Sequence, residues 1–315
     1  MTTRMTRRVP VTARWQLWAL GTICAATALL YGWRIGAGQV GNSYYAAAAK
    51  SMAQSFPNFL FGSFDPQGVE TVDKPPMALW PQAFSVWLFG FHGWSVLLPQ
   101  VIEGVAAVFL LQRTVRRWAG DNVALLAAGI LALTPITVAV NRSNDTDTLL
   151  DLLLIAAVYA VTRSIEADRG GPRTRWLLCC AFLVGAGFVT KMLQAWIIVP
   201  ALALAYLGTA TAPWRRRVLE LGAAGGVLIV SSFWWVALHD LWPGRTPFVS
   251  GSTDGTAWDL VFGYNGFGRI LGQAEGPGNG AKPGPGGGMT MMQGQDAGLG
   301  RLFSAEVGGQ ISWLL

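Results

Sequence analysis

The chain has 315 residues, of which 52% are hydrophobic and only 13% are charged. Soluble globular domains carry roughly 25% charged residues, so this composition excludes that class and indicates a polytopic membrane protein. The net charge of +6 does not indicate a nucleic-acid-binding protein, because most basic residues lie in short loops between apolar runs.

Apolar runs recur along the chain, and a membrane span requires about 20 mainly apolar residues. The first run follows four arginines, and we interpret it as an uncleaved span because it exceeds the roughly 7–15 apolar residues of a signal peptide. An eighth run begins near Gly308 and is cut off at Leu315. The seven complete predicted spans are residues 15–35, 95–111, 122–140, 147–163, 175–190, 193–208 and 218–238.

Arginine clusters in alternate loops predict the topology. They lie in residues 1–14, 113–117, 163–175 and 215–217. The positive-inside rule makes these loops cytoplasmic, together with the N-terminus. The run 77–91 is also apolar, but counting it as a span would invert every later loop. We therefore predict an outer juxtamembrane or re-entrant helix that begins at Pro75-Pro76, since proline is tolerated in a first helical turn.

The expected fold is all-α, a polytopic membrane protein with about seven complete transmembrane helices, a truncated eighth, and outer juxtamembrane helices in the first loop. We divide the chain into a transmembrane core at residues 1–238, an outer Gly/Pro-rich loop at residues 239–307 and the start of a span at residues 308–315. The Gly/Pro run 276–288 predicts a flexible loop, which is either a substrate lid or a linker.

Charged residues collect on the predicted outer side. The acids are Asp65, Glu70, Asp73, Asp145 and Asp147, and the bases include Lys74, Arg142 and Lys191. Lys191 is a basic residue on the predicted outer side, contrary to the positive-inside rule. Its position fits binding of a lipid phosphate and snorkelling from a span end equally well. Carboxylates and cations together suit group transfer from a lipid-phosphate donor, in which a carboxylate deprotonates an acceptor hydroxyl and cations stabilise the leaving phosphate. The same residue types also suit a proton-coupled transporter.

The order of four segments resembles the GT-C glycosyltransferases of the protein O-mannosyltransferase and aminoarabinose-transferase superfamily, especially the bacterial glycosyltransferase family 39-like branch. The segments are Asn42-Ser43-Tyr44-Tyr45-Ala46, Asp73-Lys74-Pro75-Pro76, Asn141 to Asp147, and Gly187-Phe188-Val189-Thr190-Lys191. The resemblance covers nearly the whole chain. It implies transfer of a sugar, a hexose such as mannose, from a polyprenyl-phosphate donor to a protein, lipid or glycan acceptor. The reaction would take place on the outer face of the plasma (inner) membrane.

The resemblance also implies roles for individual residues. It makes Asp73 and Asp147 the central catalytic acids and matches Lys74 and Lys191 to positions that contact the lipid phosphate. To these we add Asp65 as a substitute base, and Arg142 and Tyr45 as further residues that bind the lipid phosphate or the donor. A divalent metal is an open option, for which Asp73 and His239 are the candidate ligands.

One departure from the family pattern lies just before Tyr45. Many relatives carry an Asp-Glu pair where this chain has Gly41 and Asn42. Either Asp65 or Asp73 then supplies the base, or the roles are distributed differently, or the chain is an inert paralogue. A lipid-linked sugar transporter or flippase is the other alternative. It predicts inverted repeats and discontinuous spans near the midplane, whereas the polar residues here concentrate at one surface.

Overall fold

The computed structural model describes residues 13–37, 40–167 and 170–267. This part of the chain is all-α, as predicted, and its only β pairing is two isolated bridges. The α-helices are α1 Arg14–Gly32, α2 Ser43–Met52, α3 Phe56–Phe61, α4 Trp80–Phe89, α5 Gly93–Ala119, α6 Asp121–Leu133, α7 Pro135–Asn141, α8 Asp147–Glu166, α9 Gly170–Lys191, α10 Val199–Thr209, α11 Trp214–Asp240 and α12 Ala257–Asp259. Shorter 3-10 helices cover Pro76–Ala78 and Met192–Ile198, and a π-helix covers Leu260–Phe267. The predicted eighth span and the Gly/Pro run 276–288 lie outside the described residues.

Four helical segments of the described chain are long and apolar enough to cross a membrane. They are Gly93–Ala119, Asp147–Glu166, Gly171–Thr209 and Trp214–Asp240. The bent pair α6 and α7 makes a fifth if it counts as one span. The membrane character predicted from composition is therefore confirmed, while the number of seven spans stays a prediction.

The segment Gly171–Thr209 reverses direction at Met192, whose backbone has a positive φ of 51°. A Cβ atom added to Gly187 would lie 3.1 Å from the Cβ of Ala195. Eight residues of straight α-helix would separate these two positions by about 12 Å. The two spans predicted in this region therefore form an antiparallel pair, and the second begins as a 3-10 helix.

The predicted span at residues 122–140 is not one straight helix. The axes of α6 and α7 differ by 62°. Pro135 disfavours the helical conformation of the preceding residue, and Thr134 accordingly has an extended backbone with φ −60° and ψ 121°. The sequence prediction overlooked this break although Pro135 was its visible cause.

The apolar run 77–91 forms a 3-10 turn followed by α4, which has ten residues. Ten residues of α-helix extend about 15 Å, half of the roughly 30 Å hydrocarbon core. This length fits the predicted juxtamembrane helix and excludes a full span. The helix buries Gln82 and Ser85 and exposes Phe84, Trp87 and Leu88, so its apolar face points away from the protein.

Charged residues separate between the two ends of the helical bundle. One end holds four ion pairs, which are Arg116–Asp121, Arg117–Glu166, Arg173–Glu220 and Arg216–Glu220. The opposite end holds Asp147 at the start of α8 and Lys191 at the end of α9. We call the end with the four ion pairs the arginine end. The candidate site therefore lies at the opposite end of the bundle. That the arginine end is cytoplasmic stays a prediction.

The first part of the outer segment packs against the bundle. Val249, Leu260 and Val261 are fully buried in one apolar cluster with Phe188 and Trp235. This first part of the outer segment therefore contributes side chains to the core of the bundle.

The Glu220 carboxylate is the most densely bonded group at the arginine end. It accepts hydrogen bonds from Arg173 at 3.0 and 3.1 Å, from Thr174 at 2.9 Å and from Tyr206. We expect Glu220→Ala to destabilise the full-length protein by about 3–5 kcal/mol, because it leaves the buried Arg173 charge unpaired. The measurement is the midpoint of unfolding by denaturing detergent.

The matched control is Glu166→Ala, which breaks the more exposed pair with Arg117 and should cost less than about 1 kcal/mol. Equal losses in the two variants would contradict this assignment.

Candidate active site

Asp73 is the centre of a polar cluster at the end of the bundle away from the arginines. Its Oδ1 accepts a hydrogen bond from the Tyr45 hydroxyl at 3.2 Å. Its Oδ2 lies 2.9 Å from the Lys74 ammonium and 3.4 Å from the Tyr264 hydroxyl. Pro75 follows with φ −62° and ψ 154°, so the chain is still extended here and enters the 3-10 turn only afterwards. Three donors from three segments thus fix one carboxylate.

Lys74 is almost completely buried, with a side chain only 5% exposed. Its ammonium also donates to the backbone oxygen of Asp73 at 3.1 Å and to Oδ1 of Asn265 at 2.8 Å. It lies 4.9 Å from the ring centroid of Tyr264, within the range of a cation–π interaction. The structure therefore holds a desolvated cation among oxygen acceptors and an aromatic ring.

Two tyrosines complete the cluster. The Tyr44 hydroxyl accepts a hydrogen bond from the backbone N–H of Asp73 at 3.1 Å. Burial raises the pKa of Tyr44 to about 12, and the Asp73 charge adds to the effect. Burial, followed by the same charge, raises the pKa of Tyr45 still further. Both phenols therefore stay neutral at physiological pH, and Tyr45, predicted to bind the donor, holds Asp73.

A second acid–base pair joins α8 to α9. The Lys191 ammonium lies 2.5 Å from Oδ1 of Asp147. Asp147 is in the first turn of its helix and Lys191 in the last turn of its own, positions where helix dipoles favour these charges. The Asp147 side chain is 36% exposed and the Lys191 side chain 16%. This pair is thus more open than the Asp73–Lys74 pair.

Asn265 connects the two pairs. Its Nδ2 donates to the backbone oxygen of Asp73 at 3.1 Å and lies 3.3 Å from the sulfur of Met192, which follows Lys191 in the chain. The structure therefore brings Asp73, Lys74, Asp147 and Lys191 to neighbouring positions. Sequence reasoning missed Asn265 and Tyr264, since neither belongs to a motif and both become neighbours of Asp73 only through the fold.

Arg142 has a different task from the predicted phosphate clamp. Its guanidinium donates to the backbone oxygens of Leu30 at 2.6 Å, Tyr31 at 3.3 Å and Trp33 at 2.9 Å. These are orphan carbonyls at the C-terminal end of α1. The arginine therefore caps a helix, and its predicted role in binding the donor phosphate stays a prediction.

Asp65, the predicted substitute base, shapes its own loop. Its two oxygens accept hydrogen bonds from the backbone N–H groups of Gln67, Val69 and Glu70 at 2.9–3.0 Å. Partial burial acts to raise the pKa of Asp65, but these donors outweigh it and hold the pKa below its ordinary value. A carboxylate so stabilised is a weak base, and no described contact joins it to Asp73.

His239 does not fit a metal site. Its Nδ1 lies 2.8 Å from Asp240 and its Nε2 lies 3.0 Å from the backbone oxygen of Pro247, so both ring nitrogens are engaged within the protein. Asp73 is surrounded by two phenols and an ammonium rather than by further anionic ligands. Within the described residues, no group of three His, Cys, Asp or Glu side chains could hold a metal ion.

Gly41, where relatives were expected to carry an acid, has a positive φ of 76°. A Cβ atom there would lie only 2.5 Å from Oδ1 of Asn144. That side chain accepts from the backbone N–H of Asn42 at 2.5 Å and donates to its backbone oxygen at 3.1 Å. The Asn144 side chain therefore occupies the space that a residue larger than glycine would need.

The family model of dolichyl-phosphate-mannose-protein mannosyltransferase matches residues 73–235, more than half of the chain. The chain belongs to this family. The matched region contains both acid–base pairs and ends within α11. The expected resemblance to GT-C glycosyltransferases is thereby confirmed.

Two family relatives come from Bacillus subtilis (strain 168). "Putative mannosyltransferase YkcB" is 41% identical over 260 residues, which are 82% of this chain and 36% of the relative. "Putative mannosyltransferase YycA" is 39% identical over 279 residues, which are 88% of this chain and 40% of the relative. The chain thus spans about two fifths of the length of these relatives.

The fold is similar to the crystal structure of ArnT from Cupriavidus metallidurans bound to undecaprenyl phosphate. The TM-score is 0.59 at 18% sequence identity, and the match covers 82% of this chain and 45% of ArnT. At this identity the likeness shows the family's membrane fold alone.

The crowding at Gly41 predicts a coupling with Asn144. We expect Gly41→Ala to destabilise the protein strongly, because it adds a steric overlap to the roughly 1–2 kcal/mol cost of a left-handed non-glycine residue. In an Asn144→Ala background the overlap with the Asn144 side chain is gone, so Gly41→Ala should cost less. Denaturing-detergent midpoints of both single variants and the double variant measure the coupling. An equal cost in the two backgrounds would refute the proposed overlap.

Proposed function

We propose that this chain forms the donor-binding part of a membrane glycosyltransferase. It transfers a sugar, a hexose such as mannose, from a polyprenyl-phosphate donor to an acceptor on the outer face of the plasma membrane. The observation that carries the proposal is the pair of neighbouring carboxylate–ammonium pairs, Asp73–Lys74 and Asp147–Lys191, at the end of the bundle away from the arginines. The family description and the names of both Bacillus relatives support mannose.

The two lysines supply the charge that a lipid phosphate requires. When the bond between sugar and phosphate breaks, negative charge develops on the phosphate, and preorganised cations stabilise it. Lys74 is effective because it is shielded from water. Charge interactions are stronger in such a low-dielectric environment than in water. Lys191 is more accessible and can turn from Asp147 toward the phosphate. The structural neighbour ArnT was solved with undecaprenyl phosphate, which is the class of lipid proposed here.

The two acids have complementary tasks in this proposal. Asp73 holds Lys74 in position, and the hydroxyls of Tyr45 and Tyr264 fix the carboxylate in turn. Asp147 is more exposed than Asp73, and in this proposal it faces the sugar and the acceptor. We assign no role to Asp65, because three backbone N–H groups of its own loop bind its carboxylate.

A lipid-linked sugar transporter is the second candidate. The broken helix pair α6 and α7 favours it, since discontinuous spans often form transporter binding sites. The acid–base pairs nevertheless lie at one end of the bundle. Release of polyprenyl phosphate by the purified protein distinguishes an enzyme from a transporter.

We expect Asp73→Asn and Asp147→Asn each to lower kcat/KM for sugar transfer about 10²-fold or more, a typical loss when one charge-stabilising group is removed. The measurement uses full-length protein in lipid nanodiscs, polyprenyl-phosphate mannose with a labelled sugar, and cell-envelope acceptor.

Asp254→Asn is the control, because Asp254 is an exposed loop acid that contacts only Thr256 among the described residues. Undiminished transfer in both site variants would refute the site. A higher kcat/KM with a pentose donor would refute the hexose assignment.

The outer location of the site makes a labelling prediction. In a full-length variant without other cysteines, Asp254→Cys should react with a membrane-impermeant maleimide in intact cells. Arg215→Cys, exposed at the arginine end, should react only after the membrane is permeabilised. The reverse pattern would place the site on the cytoplasmic face.

A further inference from the structure

Sugar transfer to a hydroxyl acceptor requires a group that takes the proton of that hydroxyl. The acids predicted for this task all carry donors in the structure. Asp73 has three side-chain donors, Asp147 has Lys191, and Asp65 has three backbone N–H groups. Each of these bonds occupies a lone pair of a carboxylate oxygen, which is then not free to receive the acceptor proton.

Asp145 differs from these acids. It is half-buried at the link between α7 and α8, two residues before Asp147. Within the described part of the chain, its carboxylate accepts no hydrogen bond within 3.5 Å and has no cation within 4.0 Å. Glu70, an exposed acid of the same surface, is likewise without such a partner among the described residues, so Asp145 is the half-buried acid whose oxygens the fold has left available.

The backbone that carries Asp145 is held in place by buried amides. The Gln82 side chain donates to the backbone oxygen of Asn144 at 3.4 Å, and the Gln100 side chain donates to that of Asp145 at 3.3 Å. Both glutamines are fully buried. The Asn144 side chain is bonded in both directions to the Asn42 peptide. A carboxylate without donors therefore sits on a rigid support, as a catalytic group requires.

This support brings Asp145 beside the Asp73 cluster. Asn144, its neighbour in the chain, fills the space next to Gly41, four residues before Tyr45. The negative charge of Asp145 contributes to raising the pKa of the Tyr45 phenol, and that phenol is bonded to Asp73. The available carboxylate is thus next to the proposed donor site rather than elsewhere on the outer surface.

We propose that Asp145 is the general base for the acceptor hydroxyl, an assignment that rests on the proposed glycosyltransferase function. The acceptor oxygen forms a bond to C1 of the sugar, and the bond between C1 and the phosphate oxygen breaks. The electron pair of the broken bond leaves with the polyprenyl phosphate, whose charge Lys74 and Lys191 stabilise. The acceptor proton passes to the Asp145 carboxylate and then to water. Asp73 remains the partner of Lys74.

The test compares Asp145→Asn, Asp145→Glu and Asp254→Asn in full-length protein. Two quantities are measured, the affinity for polyprenyl-phosphate mannose and the pH dependence of kcat/KM for transfer. Asp145→Asn should lower kcat/KM about 10²–10⁴-fold, the usual contribution of a general base, and should remove the acidic limb of the pH profile. Donor affinity should change less than about twofold by the same reasoning, since the base touches the acceptor and not the phosphate. Asp145→Glu should recover part of the rate, and Asp254→Asn should behave as wild type.

Four results would overturn the assignment. Asp145→Asn with wild-type transfer, or with an unchanged acidic limb, would show that another group takes the proton. Loss of donor binding in the same variant would make Asp145 a structural or donor-binding residue. If the wild-type protein itself binds the donor but releases no polyprenyl phosphate, the proposed function fails, and the role of Asp145 fails with it.

Discussion

The buried ammonium of Lys74 is the constraint on which the outer end of this protein depends. An unpaired charge with so little exposure would cost several kcal/mol, so the chain must bring acceptors to it. They come from Asp73 in the first loop and from Asn265, almost two hundred residues later. Asn265 in turn contacts Met192 at the turn between α9 and α10. One desolvated cation therefore ties together three distant parts of the chain.

The same constraint links stability to function. The acceptors offset the cost of removing the Lys74 ammonium from water. They also fix its position, so that an anion bound beside it would interact with a poorly hydrated charge. A buried ion pair gives weak net stability, because desolvation offsets most of its attraction. We infer that the pair is kept for the phosphate rather than for the fold. The ion pair between Arg173 and Glu220 at the opposite end, which Arg216 also joins, belongs to none of the four sequence segments of the family resemblance, and we assign it a structural role.

The overall organisation could be predicted from the sequence because it follows from patterns that local residues carry. The lengths of the apolar runs predicted long apolar helices. The arginine clusters correctly predicted which loops lie together at one end of the bundle. They also showed that the run 77–91 is no span. Individual roles were harder, because a sequence displays a charge but not its partner. Arg142 caps α1, Asp65 orders its own loop and His239 bonds to Pro247, and each partner is a backbone group that the residue type does not reveal.

Gly41 and Asn265 illustrate the remaining gap. From the sequence, the absent acid at position 41 left a substitute base, a different distribution of roles and an inert chain all open. The structure adds that the Asn144 side chain fills the space beside this position, which therefore requires glycine. Asn265 has no motif at all and becomes important only when residues 241–267 fold back onto the bundle. Such long-range contacts cannot be derived from periodicity or charge.

The most direct test of the central claim is a cryo-electron microscopy structure of the full-length protein with polyprenyl phosphate. We predict phosphate oxygens within about 3 Å of the ammonium groups of both Lys74 and Lys191, the distance of a charge-assisted hydrogen bond. A phosphate bound elsewhere, with the Asp73–Lys74 and Asp147–Lys191 pairs unchanged, would contradict the account.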